Sequence, residues 1–117
     1  MPTIRDLVGA LCRREGVEAA VVLGRDGLLI DSQAAPEVDA ESMAALVPSI
    51  IAAASGYAAH LDRGALTTAI LEFARGVAVI SVLSDDAVLL VLARRDANLG
   101  QLLFALRRNR ENIAALI

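Results

Sequence analysis

The sequence contains no lysine and no tryptophan, and only one histidine, His60, and one cysteine, Cys12. Without lysine there is neither a phosphate-loop lysine nor a Schiff-base amine. One histidine and one cysteine cannot make an ordinary zinc site, and no metal site is expected. A lone cysteine cannot close a disulfide within the chain, which fits a reducing compartment and an expected cytoplasmic location. Positive charge is also scarce. All 11 basic residues are arginine, against 14 acids, for a net charge of -3 and a pI near 5.0. Nothing in that balance attracts a phosphate backbone, so nucleic acid is not an expected partner. The opening Met1-Pro2-Thr3-Ile4-Arg5-Asp6 has an early acid and no apolar core, so no signal peptide is expected.

What is abundant is apolar surface. Hydrophobic residues make up 56% of the 117 and charged residues 21%, which excludes intrinsic disorder. The length suits one domain, residues 1–117, able to bury about two-thirds of its extended-chain surface. An apolar excess of this kind implies surface that one copy cannot hide.

Hydrophobic periodicity places a first helix over Thr3–Glu15, with Ile4, Leu7, Val8 and Leu11 on one stripe. Thr3 and Asp6 have capping-box spacing, and Gly16 suits a left-handed helix end. Val17–Gly24 and Leu28–Gln33 form a hairpin around Asp26-Gly27. Gly24 and Gly27 do not cradle phosphate, because no helix N-terminus follows them. Asp39 caps a long second helix ending near Leu61. Strands follow over Ala65–Phe73, Val77–Leu83 and Ala87–Ala93, linked by short turns. The last two are apolar at nearly every position, which predicts burial on both faces. Asn98 then caps a final helix, Asn98–Ile117, with Leu99, Leu102, Leu103, Leu106 and Ile113 on its inner stripe. The order is α-β-β-α-β-β-β-α, an α+β arrangement.

The second helix carries the most information. Ser42–Leu61 contains no charged residue and is about as long as a membrane span. Pro48, Ser49, Ser55, Gly56 and His60, the paucity of leucine and the poor flanking anchors argue against a span. At 100° per residue, Met43, Leu46, Val47, Ile50, Ala54, Tyr57 and Leu61 share one side and are expected to pack on the sheet. Ala45, Ser49, Ala52, Gly56 and Ala59 share the other. A water-facing side normally carries charge. A smooth, uncharged one admits another helix, and a self-complementary homodimer needs only this one stripe. Pro48 is expected to kink the helix or remove one backbone bond.

The element order, the hairpin Gly24-Arg25-Asp26-Gly27-Leu28-Leu29-Ile30-Asp31-Ser32 and the closing Ala97-Asn98-Leu99-Gly100-Gln101-Leu102-Leu103 resemble the Roadblock/dynein light chain family. Within it, the resemblance is to the MglB-like bacterial and archaeal proteins. It covers nearly the whole chain. It implies a five-stranded antiparallel sheet with the second helix on one face and the first and last on the other. It implies pairing of two copies through the second helix and the third strand, which adds Thr67, Ala69 and Leu71 to the dimer-interface residues. It further implies a platform without catalytic residues or cofactor that binds small Ras-like GTPases, which the MglB-like members stimulate to hydrolyse GTP. Longer MglB proteins continue past the last helix, where this sequence stops.

The residues themselves offer no enzyme chemistry. His60 neighbours neither Cys12 nor a triad-like serine in sequence. Asp85-Asp86 reads as a solvated turn and Cys12 as a small buried hydrophobe. Arg25, Arg63 and Arg75 fall in loops and are candidate partner contacts, able in principle to stabilise charge on a transferring phosphoryl group. Arg94, Arg95, Arg107, Arg108 and Arg110 would gather at one end, where they suit an anion or acidic partner, although helix-dipole compensation and solvation also account for them. Three functions fit: a GTPase-binding regulator, a purely architectural adaptor, and a small-ligand sensor with a pocket between sheet and helix.

Overall fold

The two longest apolar runs lie at the heart of the molecule. The structure, a computed structural model, describes residues 2–117. In chain order it forms α1 (Ile4–Cys12), β1 (Val17–Gly24), β2 (Leu29–Ala34), α2 (Ala40–Leu61), β3 (Thr68–Phe73), β4 (Gly76–Val82), β5 (Ala87–Ala93), α3 (Leu99–Arg108) and α4 (Arg110–Ala114). The strands make one antiparallel sheet in the order β2-β1-β5-β4-β3. Strands β4 and β5 are buried almost throughout, as double-sided burial requires, and β1 is buried over its centre. The edge strands β2 and β3 are only partly covered.

Alternate residues of the central strands feed two separate cores. Val8 and Leu11 of α1, Leu102 and Leu106 of α3 and Ile113 of α4 cover Ala20, Val22, Val79, Leu89 and Val91. On the opposite face Ala44, Val47 and Ile51 of α2 cover Val21, Leu23, Ile80, Val88 and Leu90. Each fully buried valine or leucine contributes about 1.5–3 kcal/mol. The helix starts follow the capping chemistry. Thr3 Oγ1 accepts from Asp6 N at 3.1 Å while Asp6 Oδ2 accepts from Thr3 N at 3.0 Å, a complete capping box. Asp39 and Asn98 accept from the backbone of Ser42 and Gln101 at 3.2 and 3.0 Å.

Several boundaries differ from expectation. Helix α1 stops at Cys12 rather than Glu15, because Arg14 N turns back to Leu11 O and Val17 N to Arg14 O in tight turns. Gly16 is left-handed, with φ 88°, but it turns the chain into β1 instead of capping the helix. Strand β3 begins at Thr68, later than Ala65, and β2 spans 29–34 rather than 28–33. The final helix is not continuous. Asn109 donates from Nδ2 to Ala105 O at 2.8 Å, diverting the carbonyl its own backbone N–H shares, and the chain restarts as α4.

Helix α2 is rotated from its expected setting. Its buried residues are Ala44, Val47 and Ile51, whereas Leu46, Tyr57 and Leu61 are 65%, 73% and 61% exposed. Sorting the helix by side-chain size misplaced its inner face. A small residue, Ala44, is buried with Val47 and Ile51, while Leu46, Tyr57 and Leu61 fall outward. Met43 and Ile50 are partly packed and Ala54 is half-buried. Pro48 is accommodated with helix on both sides, and the hairpin turn at Gly27 lies against its ring. By length and composition α2 is the one helix among the described residues suited to cross a membrane, yet it lies across the sheet and supplies one of the two cores.

Gly16 and Gly64 separate backbone strain from packing. Both are left-handed, but an added Cβ at Gly16 would stand 2.5 Å from Ala97 Cβ, while one at Gly64 meets nothing within 4 Å. Gly64→Ala should cost about 1–2 kcal/mol from the left-handed backbone. Gly16→Ala should cost that and about 1–3 kcal/mol more from overpacking. Urea unfolding of the two variants checks the order, and equal midpoints would refute it.

Candidate interaction face

The residues expected at the interface stand on the outside of one layer. Ala45, Ser49, Ala52, Gly56 and Ala59 are all exposed along α2. Among them lie residues that size-sorting had assigned inward: Leu46, Tyr57 and Leu61 are out, and Ala53 is exposed beside them. The signal that would have placed them was the absence of charge right round the helix, which marks an apolar outer face and not merely a small one. From Ser42 to Leu61 no formal charge interrupts it. The acids sit at its ends. The two Ser42 hydrogen bonds hold the Asp39 carboxyl below its ordinary pKa. Asp62 closes the helix in the left-handed region, φ 53°, with its N–H on Ala58 O at 3.1 Å.

Strand β3 continues this surface. It pairs with β4 from Thr68↔Ser81 to Phe73↔Gly76 and has no strand on its other side. Its outer backbone groups form an open ladder. Ala69 and Leu71 are half-buried on the α2 side of the sheet. Thr67 is exposed just before the strand, its carbonyl accepting from Val82 N at 2.9 Å. Ile70 and Phe73, not singled out in the sequence, add exposed apolar area to the same edge.

The arginines do not converge. Arg25 is tied to the β4–β5 turn, Nη1 donating to Ser84 O at 3.4 Å. Arg63 follows the α2 terminus, and Arg75 lies in the β3–β4 turn, at the other end of β3. Nor do the five later arginines form one cluster. Arg94 pairs with Asp96 at 3.0 Å, and Arg95 donates to Ala74 O at 3.3 Å. Arg110 donates to Val82 O, beside the opposite end of β5. Arg94 is held above its ordinary pKa by the Asp96 hydrogen bond.

A cleft of about 590 Å³ opens between the C-terminal half of α2 and the ends of β3 and β4, with Ile51, Ser55, Leu66, Val82, Arg25 and Arg110 in its wall. Ala59 and Thr67 also line it, so its mouth lies on the face just described. His60 is on α2 and Cys12 on α1, on opposite sides of the sheet. Among the described residues no three histidine, cysteine or carboxylate side chains group as metal ligands. The Cys12 Sγ–H donates to Gln33 O at 3.1 Å, and burial pushes its pKa up, outweighing a backbone hydrogen bond. A raised pKa leaves less thiolate at neutral pH. Cys12 should therefore react with iodoacetamide more slowly in the folded protein than in urea, with the rate rising as pH increases. Equal rates in the two states would contradict the burial.

The family model for the Roadblock/LC7 domain matches residues 3–93. An uncharacterized protein of Methanocaldococcus jannaschii is 33% identical over 91% of this chain and 92% of its own. A Roadblock/LC7 domain from Streptomyces avermitilis shares the fold with a TM-score of 0.84 at 22% identity, over 96% of this chain and 95% of that one. The gliding protein MglB from Thermus thermophilus does so with a TM-score of 0.84 at 19% identity, over 96% and 86%.

Proposed function

The chain belongs to the Roadblock/LC7 domain family, and from that footing we propose that it is a homodimeric, non-catalytic platform that binds and regulates a small Ras-like GTPase. The observation that carries this is the uncharged apolar outer face of α2 beside the open edge of β3. Contiguous apolar surface of this extent marks an interaction site. A twofold pairing would set α2 against its copy, with Ala45, Ser49, Ala52, Gly56 and Ala59 allowing close approach. Leu46 and Tyr57 would anchor its flanks, as large side chains do at interface centres. Thr67, Ala69 and Leu71 would bring β3 beside the β3 of the second copy, satisfying the open ladder in one ten-stranded sheet.

Such a pair is antiparallel, so it would place Arg75 of one protomer near Arg63 of the partner subunit. That juxtaposition suits a GTPase seated across the dimer, with Arg25 as a third contact. Likeness to a gliding protein MglB supports the GTPase-linked role. Stimulated hydrolysis would then come from arginine or from ordering of the GTPase's own loops. A purely architectural adaptor remains the second reading, favoured by the same apolar face, which has no inherent preference for a nucleotide state.

Gly56→Arg and Ala52→Arg test the pairing. Both positions are exposed in the protomer, and a side chain at Gly56 meets nothing within 4 Å, so the fold should persist. A charge buried unpaired in the dimer costs several kcal/mol. Light scattering at micromolar concentration should report a dimer for the parent protein and monomers for the variants. An unchanged dimer would reject the interface. Immobilised protein should retain small Ras-like GTPases of the same genome differently in their GDP and GTP-analogue forms. No retention in either form removes the GTPase role, and equal retention favours the adaptor.

A further inference from the structure

A second surface lies on the far side of the sheet, beside the break at Asn109. A shallow groove of about 710 Å³ runs between the end of α1 and α3, lined by Arg14, Gln101, Phe104, Ala105, Arg108 and Asn109. Phe104 stands 64% exposed in it. The inward row of α3 is Leu102 and Leu106, with Leu99 and Leu103 beside them, so the fold has no packing use for the Phe104 ring. A single exposed aromatic is common on protein surfaces and says little by itself. The charge around it decides the matter. Of the six arginines in residues 3–15 and 98–117, Arg5 pairs with Asp31 and Arg110 reaches Val82 O on the other side of the sheet, while Glu15 and Asp96 lie near the α1 end of the groove. The charged side chains in the groove lining itself are Arg14 and Arg108, on a protein that is negative overall. The ion pairs among the described residues are Arg5–Asp31 at 3.2 Å and Arg94–Asp96 at 3.0 Å. Arg14 and Arg108, which flank Phe104, have no carboxylate within that range.

We propose that this groove docks an acidic segment of a partner protein, with one apolar or aromatic side chain of the segment against Phe104 and its carboxylates on Arg14 and Arg108. Arginine forks bind carboxylates in bidentate fashion, and an aromatic anchor in a partly concave site is the usual centre of such contacts. The concavity and the side-chain amide of Gln101 suit a peptide backbone. A bilayer would call for several apolar side chains at one level, and here there is one ring. The groove lies on the α1–α3 side, away from α2, so it goes beyond the GTPase reading and does not rest on it.

The probe is a synthetic peptide of glutamates and serines around one tryptophan. Because the chain has no tryptophan, the probe's indole emission reports binding alone. The emission should shift to the blue and saturate, and binding should weaken with rising salt. Phe104→Ser, Arg14→Glu and Arg108→Glu, all at exposed positions, should each weaken it by about tenfold, with circular dichroism unchanged. Gly56→Arg should bind the peptide like the parent protein, which separates failure here from failure of the dimer. Unsaturable binding, variants that bind like the parent, or equal competition by a peptide with serine in place of tryptophan would overturn the proposal. So would sedimentation with phosphatidylserine vesicles that depends on Phe104 without any peptide binding, which would assign the groove to a membrane surface.

Discussion

Three strands buried on both faces set the terms for everything else in this protein. β1, β5 and β4 carry apolar side chains above and below the sheet, so each face must be roofed by helix. α1, α3 and α4 roof one side. A single helix, α2, roofs the other, with Ala44, Val47 and Ile51 buried and Ala40, Met43 and Ile50 packed at their side. The outer circumference of α2 stays uncharged and in the open. A surface helix with no charge over twenty positions is out of balance in an isolated copy, and the open edge of β3 lies alongside it. The two unmet demands, apolar burial and backbone pairing, fall on the same side of the molecule. One partner surface could answer both.

The chemistry available agrees with a binding role. The only histidine and the only cysteine are separated by the sheet, and the thiol is held by burial and a backbone carbonyl. The arginines are dispersed in loops and at helix ends, several spent on local carbonyls: Arg25 on Ser84, Arg95 on Ala74, Arg110 on Val82. These contacts stiffen the turns that frame the sheet. Arg14, Phe104 and Arg108, which have neither an ion pair nor a place in the core, meet in one groove on the α1–α3 side. The molecule thus has an uncharged α2 face and, on the opposite side of the sheet, a groove whose charged lining residues are Arg14 and Arg108.

Local chemistry was legible in the residues. The Thr3–Asp6 capping box, the Asp39 and Asn98 caps, the Asp26-Gly27 turn and the doubly buried β4 and β5 all stand where the sequence placed them. Each depends on atoms within a few residues of one another, or on composition so apolar that only the interior suits it. The small exposed stripe of α2 was equally readable, since lack of charge needs no partner to be seen.

The tertiary structure decided the rest. The central β1–β5 pairing joins segments some seventy positions apart, and no local signal specifies it. The rotation of α2 depends on the sheet it covers, which buries Ala44 and leaves Leu46 outside, so size alone picked the wrong inner face. The end of α3 at Asn109 turned on a side-chain hydrogen bond competing with the backbone, and on Ile113 and Arg110 finding the sheet and the Val82 carbonyl. The groove beside Phe104 ends at that break. Periodicity states which residues prefer to be hidden; the shape of the opposing surface settles which of them can be.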